Sequence, residues 1–162
     1  MTLNQTLTDK GFAITDAEKS DFDVYYAISR LCYEKYVDEY FGGWVEDVQL
    51  AMNSSSFDEH IAQTVFKKIL LHDKVVGFFA YNDLNDKIDG VSIQMTEEAR
   101  GNGIGSYYLE HIISIANHGR KPIFLQVFKS NPARNLYERY GFVTYDVSVS
   151  HYQMRYDPSS LV

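Results

Sequence analysis

The stretch Arg100-Gly101-Asn102-Gly103-Ile104-Gly105-Ser106 constrains this chain most, because the local pattern changes across it. Ile88 to Met95 before it reads as a strand. After it, Ile104, Tyr108, Leu109, Ile112, Ile113 and Ala116 recur at helical spacing, predicting a helix over about Gly103 to Asn117. Three glycines let a backbone turn tightly between two such elements and come within hydrogen-bonding distance of a ligand. The free N–H groups of the helix's first turn face outward, with about half a positive charge from the helix dipole. Such a terminus binds phosphate, and Arg100 adds a permanent cation in reach. Two other phosphate loops do not fit. A P-loop needs Lys and then Ser or Thr after its last glycine, and Gly105 is followed by Ser106-Tyr107. A dinucleotide loop has Gly-x-Gly-x-x-Gly near the start of a βαβ unit, and here a meander precedes the glycines.

The rest of the chain supplies that meander and its cover. Gly11 to Thr15 reads as a short strand, and Ser20 offers a helix cap with Asp23 in the first turn. Phe22, Tyr25, Tyr26, Ser29, Tyr33 and Tyr36 follow as one amphipathic face, ended by Gly42-Gly43. Trp44 to Met52 reads as a second short helix and Asn53 to Ser56 as a polar loop. Thr64 to Leu71, Val75 to Tyr81 and Ile88 to Met95 read as three strands, with turns at His72-Asp73-Lys74 and Asn82 to Lys87. Gly119 and Pro122 end the helix after the glycine loop, and Ile123 to Phe128 reads as a buried strand. Asn131-Pro132 opens another helix, Gly141 closes it, and Phe142 to Tyr156 supplies one or two final strands. The order β-α-α-β-β-β-α-β-α-β-β predicts one α/β domain over 1–162, with its core at about 11–157. Its mixed, largely antiparallel central sheet has helices on both faces.

A chain of 162 residues fits one domain, and 45% hydrophobic residues with three prolines describe a folded globule. The net charge of -7 argues against a general nucleic-acid binder. Nine acids between Asp21 and Glu59, against Arg30 and Lys35, describe a solvated helical surface or a field that attracts a cationic substrate. No apolar run reaches the ~20 residues of a membrane span. Met1 to Asp16 lacks the pattern of a signal peptide, and the lone Cys32 forms neither an intramolecular disulfide nor a metal set. These readings predict a soluble cytoplasmic protein without a metal.

Two segments together resemble the GNAT superfamily of N-acetyltransferases. Arg100-x-x-Gly103-x-Gly105 is similar to the family's pyrophosphate motif for coenzyme A. Asn131-Pro132-Ala133-Arg134-Asn135-Leu136-Tyr137-Glu138-Arg139-Tyr140-Gly141-Phe142 is similar to its second motif, about thirty residues on with one strand between. The likeness covers about Gly11 to Asp157 and is strongest from Ile93 to Phe142. It departs at Glu97, where the family often has Pro, and at Met95, where it often has Val.

The resemblance implies an acetyl-CoA-dependent transfer to a primary amine of a small molecule or peptide. It places acetyl-CoA against the backbone of Ile93 to Met95, against Arg100, Gly101, Asn102, Gly103, Ile104, Gly105 and Ser106, and against Asn131, Asn135 and Tyr137. Tyr137 matches the family's general acid, and a backbone N–H at Met95 the oxyanion donor. Tyr40, Phe41 and Trp44 fall where relatives border the acceptor groove, or they simply cover the sheet. Glu39, Glu46, Asp89 and a Gln94-bound water are all conceivable bases, and none fits a motif. A module that holds coenzyme A without turnover is the alternative, and the length of the acyl group is open. Homodimers are common in the family, and the sequence neither supports nor excludes one.

Overall fold

The computed structural model describes residues 1–158, so 159–162 of the predicted domain lie outside the described residues. Helix α1 (Gln5–Asp9) precedes strand β1 (Phe12–Asp16), and helices α2 (Phe22–Phe41) and α3 (Glu46–Ile61) follow. Strands β2 (Val65–Leu71), β3 (Lys74–Asp83) and β4 (Ile88–Met95) lead into helix α4 (Ile104–Gly119). Strand β5 (Ile123–Phe128), helix α5 (Ala133–Arg139) and strands β6 (Val143–Val147) and β7 (His151–Tyr156) complete the chain. All seven strands form one sheet in the order β1-β2-β3-β4-β5-β7-β6. Every pairing is antiparallel except β4 with β5, which is parallel and held at a single register pair, Ile88 to Ile123. The predicted α/β class with a mixed, largely antiparallel sheet is what forms.

Helices cover both faces because β3 is buried on both. Phe78 and Ala80 pack with Tyr25, Ile28 and Cys32 of α2 and Phe57 of α3. Phe79 and Tyr81 join the larger cluster that holds Ile104, Tyr108, Leu109 and Ile112 of α4. That continuous apolar run is the pattern of a strand covered on two sides.

Four local expectations need correction. The predicted polar loop Asn53 to Ser56 is helical, and α3 runs on to Ile61. The reason is tertiary: Phe57 is 3% exposed and meets Phe22, Tyr25 and Phe66 edge-on or tilted. Burying one such ring contributes about 2–3 kcal/mol, more than several polar residues lose by helix propensity. Ser20 lies inside a short 3₁₀ turn and does not cap α2; the local bond runs instead from Glu18 N–H to Asp21 Oδ2 at 2.7 Å. Gly119 is the last residue of α4, and the left-handed residue that ends the helix is Arg120 at φ 52°. The one-turn helix α1, with Asn4 accepting from Leu7 N–H, has no counterpart in the predicted order.

Candidate functional site

Strand β4 creates the site by departing from regularity. Ala80 faces Ser92 while Asn82 faces Asp89, so Gly90 and Val91 together oppose Tyr81, and Gly90 takes φ 60°. This is a β-bulge with a left-handed glycine, and it bends the strand. Beyond Ile88 the strand parts from β5. Thr96 N–H donates to the Val76 carbonyl at 2.8 Å, which fixes the phase of the ladder with β3. Gln94 and Ser92 therefore bond toward β3, and the backbone groups of Ile93 and Met95 face the gap.

A cleft of about 1130 Å³ fills that gap. Both strands line it, with α2 and α3 on one side and the starts of α4 and α5 on the other. Ile93, Met95, Arg100, Gly105, Asn131, Tyr137, Phe41 and Trp44 of the predicted site residues reach its wall. Gly101, Asn102 and Gly103 are not on the cleft wall and form the turn that leads from Arg100 into α4. Gly101 and Gly103 have φ 74° and 96°, and a Cβ on either would meet nothing within 4 Å. Their role is therefore left-handed backbone beside open space. Gly105 differs, because a Cβ there would stand 3.3 Å from Leu136 of α5. No side chain caps α4 and no acid occupies its first turn, so its N–H groups stay free for an anion.

Other predicted residues do different work. The Asn102 amide donates to the Ala99 and Arg100 carbonyls at 3.1 and 3.2 Å, bracing the loop. Ile104 is buried in the core, leaving only its backbone for a ligand. Ser106 is half-buried on α4 and Asn135 is exposed on α5, both away from the cleft wall. Asn131 Oδ1 accepts from Ala133 N–H at 2.9 Å, so the predicted cap forms. Tyr40 stacks on Phe128 with ring centres 5.9 Å apart instead of lining the cleft. Arg100 turns toward the strand, Nε donating to the Met95 carbonyl at 3.0 Å.

Tyr137 is 8% exposed and lines the cleft. Among the described residues no hydrogen-bond partner is found for its hydroxyl, and burial pushes its pKa up to about 12. The base candidates separate. Glu46 is held by Tyr26, Arg30 and Trp44, and Glu39 accepts from Ser130. Gln94 is tied to Ser29 and to the Tyr25 carbonyl. Asp89 alone among the three carboxylates lines the cleft, near Lys87 and Asn82.

Several wall residues escaped the sequence reading. The Tyr33 hydroxyl donates to the Ile93 carbonyl at 3.4 Å and the Cys32 thiol to the Met95 carbonyl at 3.2 Å. Burial raises both pKa values, with Arg100 opposing the rise at Cys32. His60 and His151 also line the cleft, and burial lowers their pKa values. Only the aromatic stripe of α2 hinted at these residues, and a stripe is equally the mark of a buried face. The His111 ring, on α4, bonds the Tyr81 hydroxyl at 3.1 Å. Among the described residues no three His, Cys, Asp or Glu side chains gather as a metal site, and no helix is long and apolar enough to cross a membrane.

A model of the acetyltransferase (GNAT) family matches residues 29–142. No curated protein sequence matches the chain. Among solved structures, the chain is similar to the PaiA N-acetyltransferase of Thermoplasma acidophilum in complex with coenzyme A. That likeness has a TM-score of 0.69 and 16% identity, over 90% of this chain and 98% of the other. The ribosomal-protein-S18-alanine N-acetyltransferase of Escherichia coli gives a TM-score of 0.64 and 19% identity, over 93% and 96%. Naa50 of Arabidopsis thaliana, in complex with a bisubstrate analogue, gives 0.65 and 15%, over 90% and 97%. At such identities these likenesses show the fold.

Proposed function

The chain belongs to the GNAT acetyltransferase family, and from that premise we propose that it moves an acetyl group from acetyl-CoA to a primary amine by direct attack on the thioester. One observation carries the reading. The outward-facing backbone of Ile93 and Met95 joins a glycine-built helix start to the unpartnered hydroxyl of Tyr137, within one cleft.

Each part has a chemical task. The free N–H groups at the start of α4 take the pyrophosphate, with Arg100 beside them. Ile93 and Met95 offer backbone groups to the pantetheine amides as a neighbouring strand would. The Met95 N–H faces the gap, where it can stabilise negative charge on the thioester oxygen. Tyr137 supplies the proton for the departing thiolate. Its raised pKa keeps it protonated at neutral pH, and burial raises the pKa of a thiol in the same cleft too. An alkylamine of pKa ~10.4 is neutral about once in 2,500 molecules at pH 7, a penalty of roughly 4.6 kcal/mol. Asp89, His60 and His151 are the wall groups that can take its proton, directly or through water.

The test mixes the purified protein with acetyl-CoA and a panel of amines and follows free thiol. Release of coenzyme A with at least one amine is expected. Tight coenzyme A binding without turnover on a broad panel would instead make the chain a binding module.

A further inference from the structure

Resting on that acetyltransferase reading, we infer that the acceptor is a monoamine on an apolar, aryl or alkyl body, and not a polyamine or an aminoglycoside. The nine acids between Asp21 and Glu59 invite the opposite conclusion, but the fold pairs them or turns them to solvent. Glu34 and Glu46 both pair with Arg30, at 3.1 and 2.9 Å. Asp38 accepts from Trp44 N–H at 3.1 Å, Glu39 from Ser130, and Asp21 pairs with Lys68. Asp23, Asp47, Asp58 and Glu59 are exposed, and none of the nine lines the cleft.

The groove between α2 and α3 is apolar where a substrate would enter. Phe41, Val45, Val48 and Met52 line it while remaining 52–61% exposed. Trp44 is fixed beside them, its indole N–H donating to Glu46 at 3.3 Å and Arg30 lying 5.3 Å from the ring. The charged side chains on the wall are Lys35, Arg100 and Asp89, and Lys87 already accompanies Asp89 at 3.4 Å. The chain's net charge of -7 draws one ammonium toward the cleft, but among the described residues the wall has no carboxylate to spare for a second. A second cation would be desolvated beside Lys35 without a partner, whereas an aryl or alkyl body covers exposed apolar surface.

The experiment compares phenethylamine with spermidine and kanamycin, following thiol release at saturating acetyl-CoA. A kcat/KM for phenethylamine about tenfold or more above the other two is expected. Preference for spermidine or kanamycin overturns the inference. Val48→Asp, on an exposed helical position, is expected to shift the phenethylamine-to-spermidine ratio toward spermidine by about fivefold; an unchanged ratio also overturns it. If no amine is acetylated, the acetyltransferase reading fails and the groove is judged by binding alone. Trp44 is the sole tryptophan, so its emission reports occupancy without turnover. A saturable change with phenethylamine in the presence of coenzyme A, and none with spermidine, sustains the inference. No change with phenethylamine overturns it.

Discussion

Tyr137 shows how a single residue's assignment depends on its surroundings. Its spacing with Ala133, Leu136 and Tyr140 describes an ordinary packing face, and the ring does contact Phe142 in the core. Its hydroxyl nevertheless makes no hydrogen bond among the described residues and belongs to a side chain on the cleft wall, where a ligand can supply one. Tyr137→Phe is expected to lower kcat by a factor of about 100 or more and leave the dissociation constant of acetyl-CoA unchanged. Equal turnover in the two proteins would remove Tyr137 from the reaction. With its pKa at about 12, Tyr137 stays protonated across the working range, so wild-type kcat should show no descending limb below about pH 10 from this group. Gly103 is a second residue-scale case. Its φ of 96° strains any other residue, so Gly103→Ala is expected to disturb the loop by about 1–2 kcal/mol. That disturbance should weaken acetyl-CoA binding about tenfold, read by calorimetry; normal affinity would show that the phosphates bind elsewhere.

At the scale of elements, α3 and α5 contrast in what makes them helices. The start of α5 is written locally: Asn131 accepts from Ala133 N–H and Pro132 sits at φ -64°. Asn131→Ala is expected to cost about 1 kcal/mol in urea unfolding. Helix α3 has a polar stretch, Asn53 to Ser56, that nothing local makes helical. Phe57 and its aromatic neighbours draw that stretch into register with the sheet. Phe57→Ala is accordingly expected to cost about 3–5 kcal/mol. Circular dichroism should show helix loss confined to one element if α3 detaches before the sheet unfolds. A full-length α3 also brings Asn53, Ser56 and His60 to the cleft wall, so the misread loop concealed part of the site.

The whole molecule carries a pH dependence that no one residue reveals. Burial holds Tyr25 and Tyr137 each at about pKa 12, against ~10 for an exposed phenol. Between about pH 10 and 12 the unfolded chain loses these protons and the folded one keeps them. Their contribution is therefore fully present below about pH 10 and falls as pH rises, by about 1.4 kcal/mol per pH unit per group. Urea midpoints measured from pH 9 to 11 should drop accordingly, and a flat profile would mean that the phenols reach water. Much of the architecture was legible beforehand. Strand boundaries at Ile88–Met95 and Ile123–Phe128 follow from local composition, and the glycine loop and the Asn131 cap follow from backbone chemistry. These depend on residues within a few positions of one another, which is why the sequence by itself determines the α/β class and the glycine turn before α4. Other features depend on residues far apart in the chain. Tyr33 meets Ile93 across 60 positions, Cys32 meets Met95 across 63, and Glu39 meets Ser130 across 91. Only the tertiary structure decides those, because side-chain direction and burial are set when α2 and α3 pack over the sheet, and periodicity cannot tell a helix's buried stripe from a cleft wall.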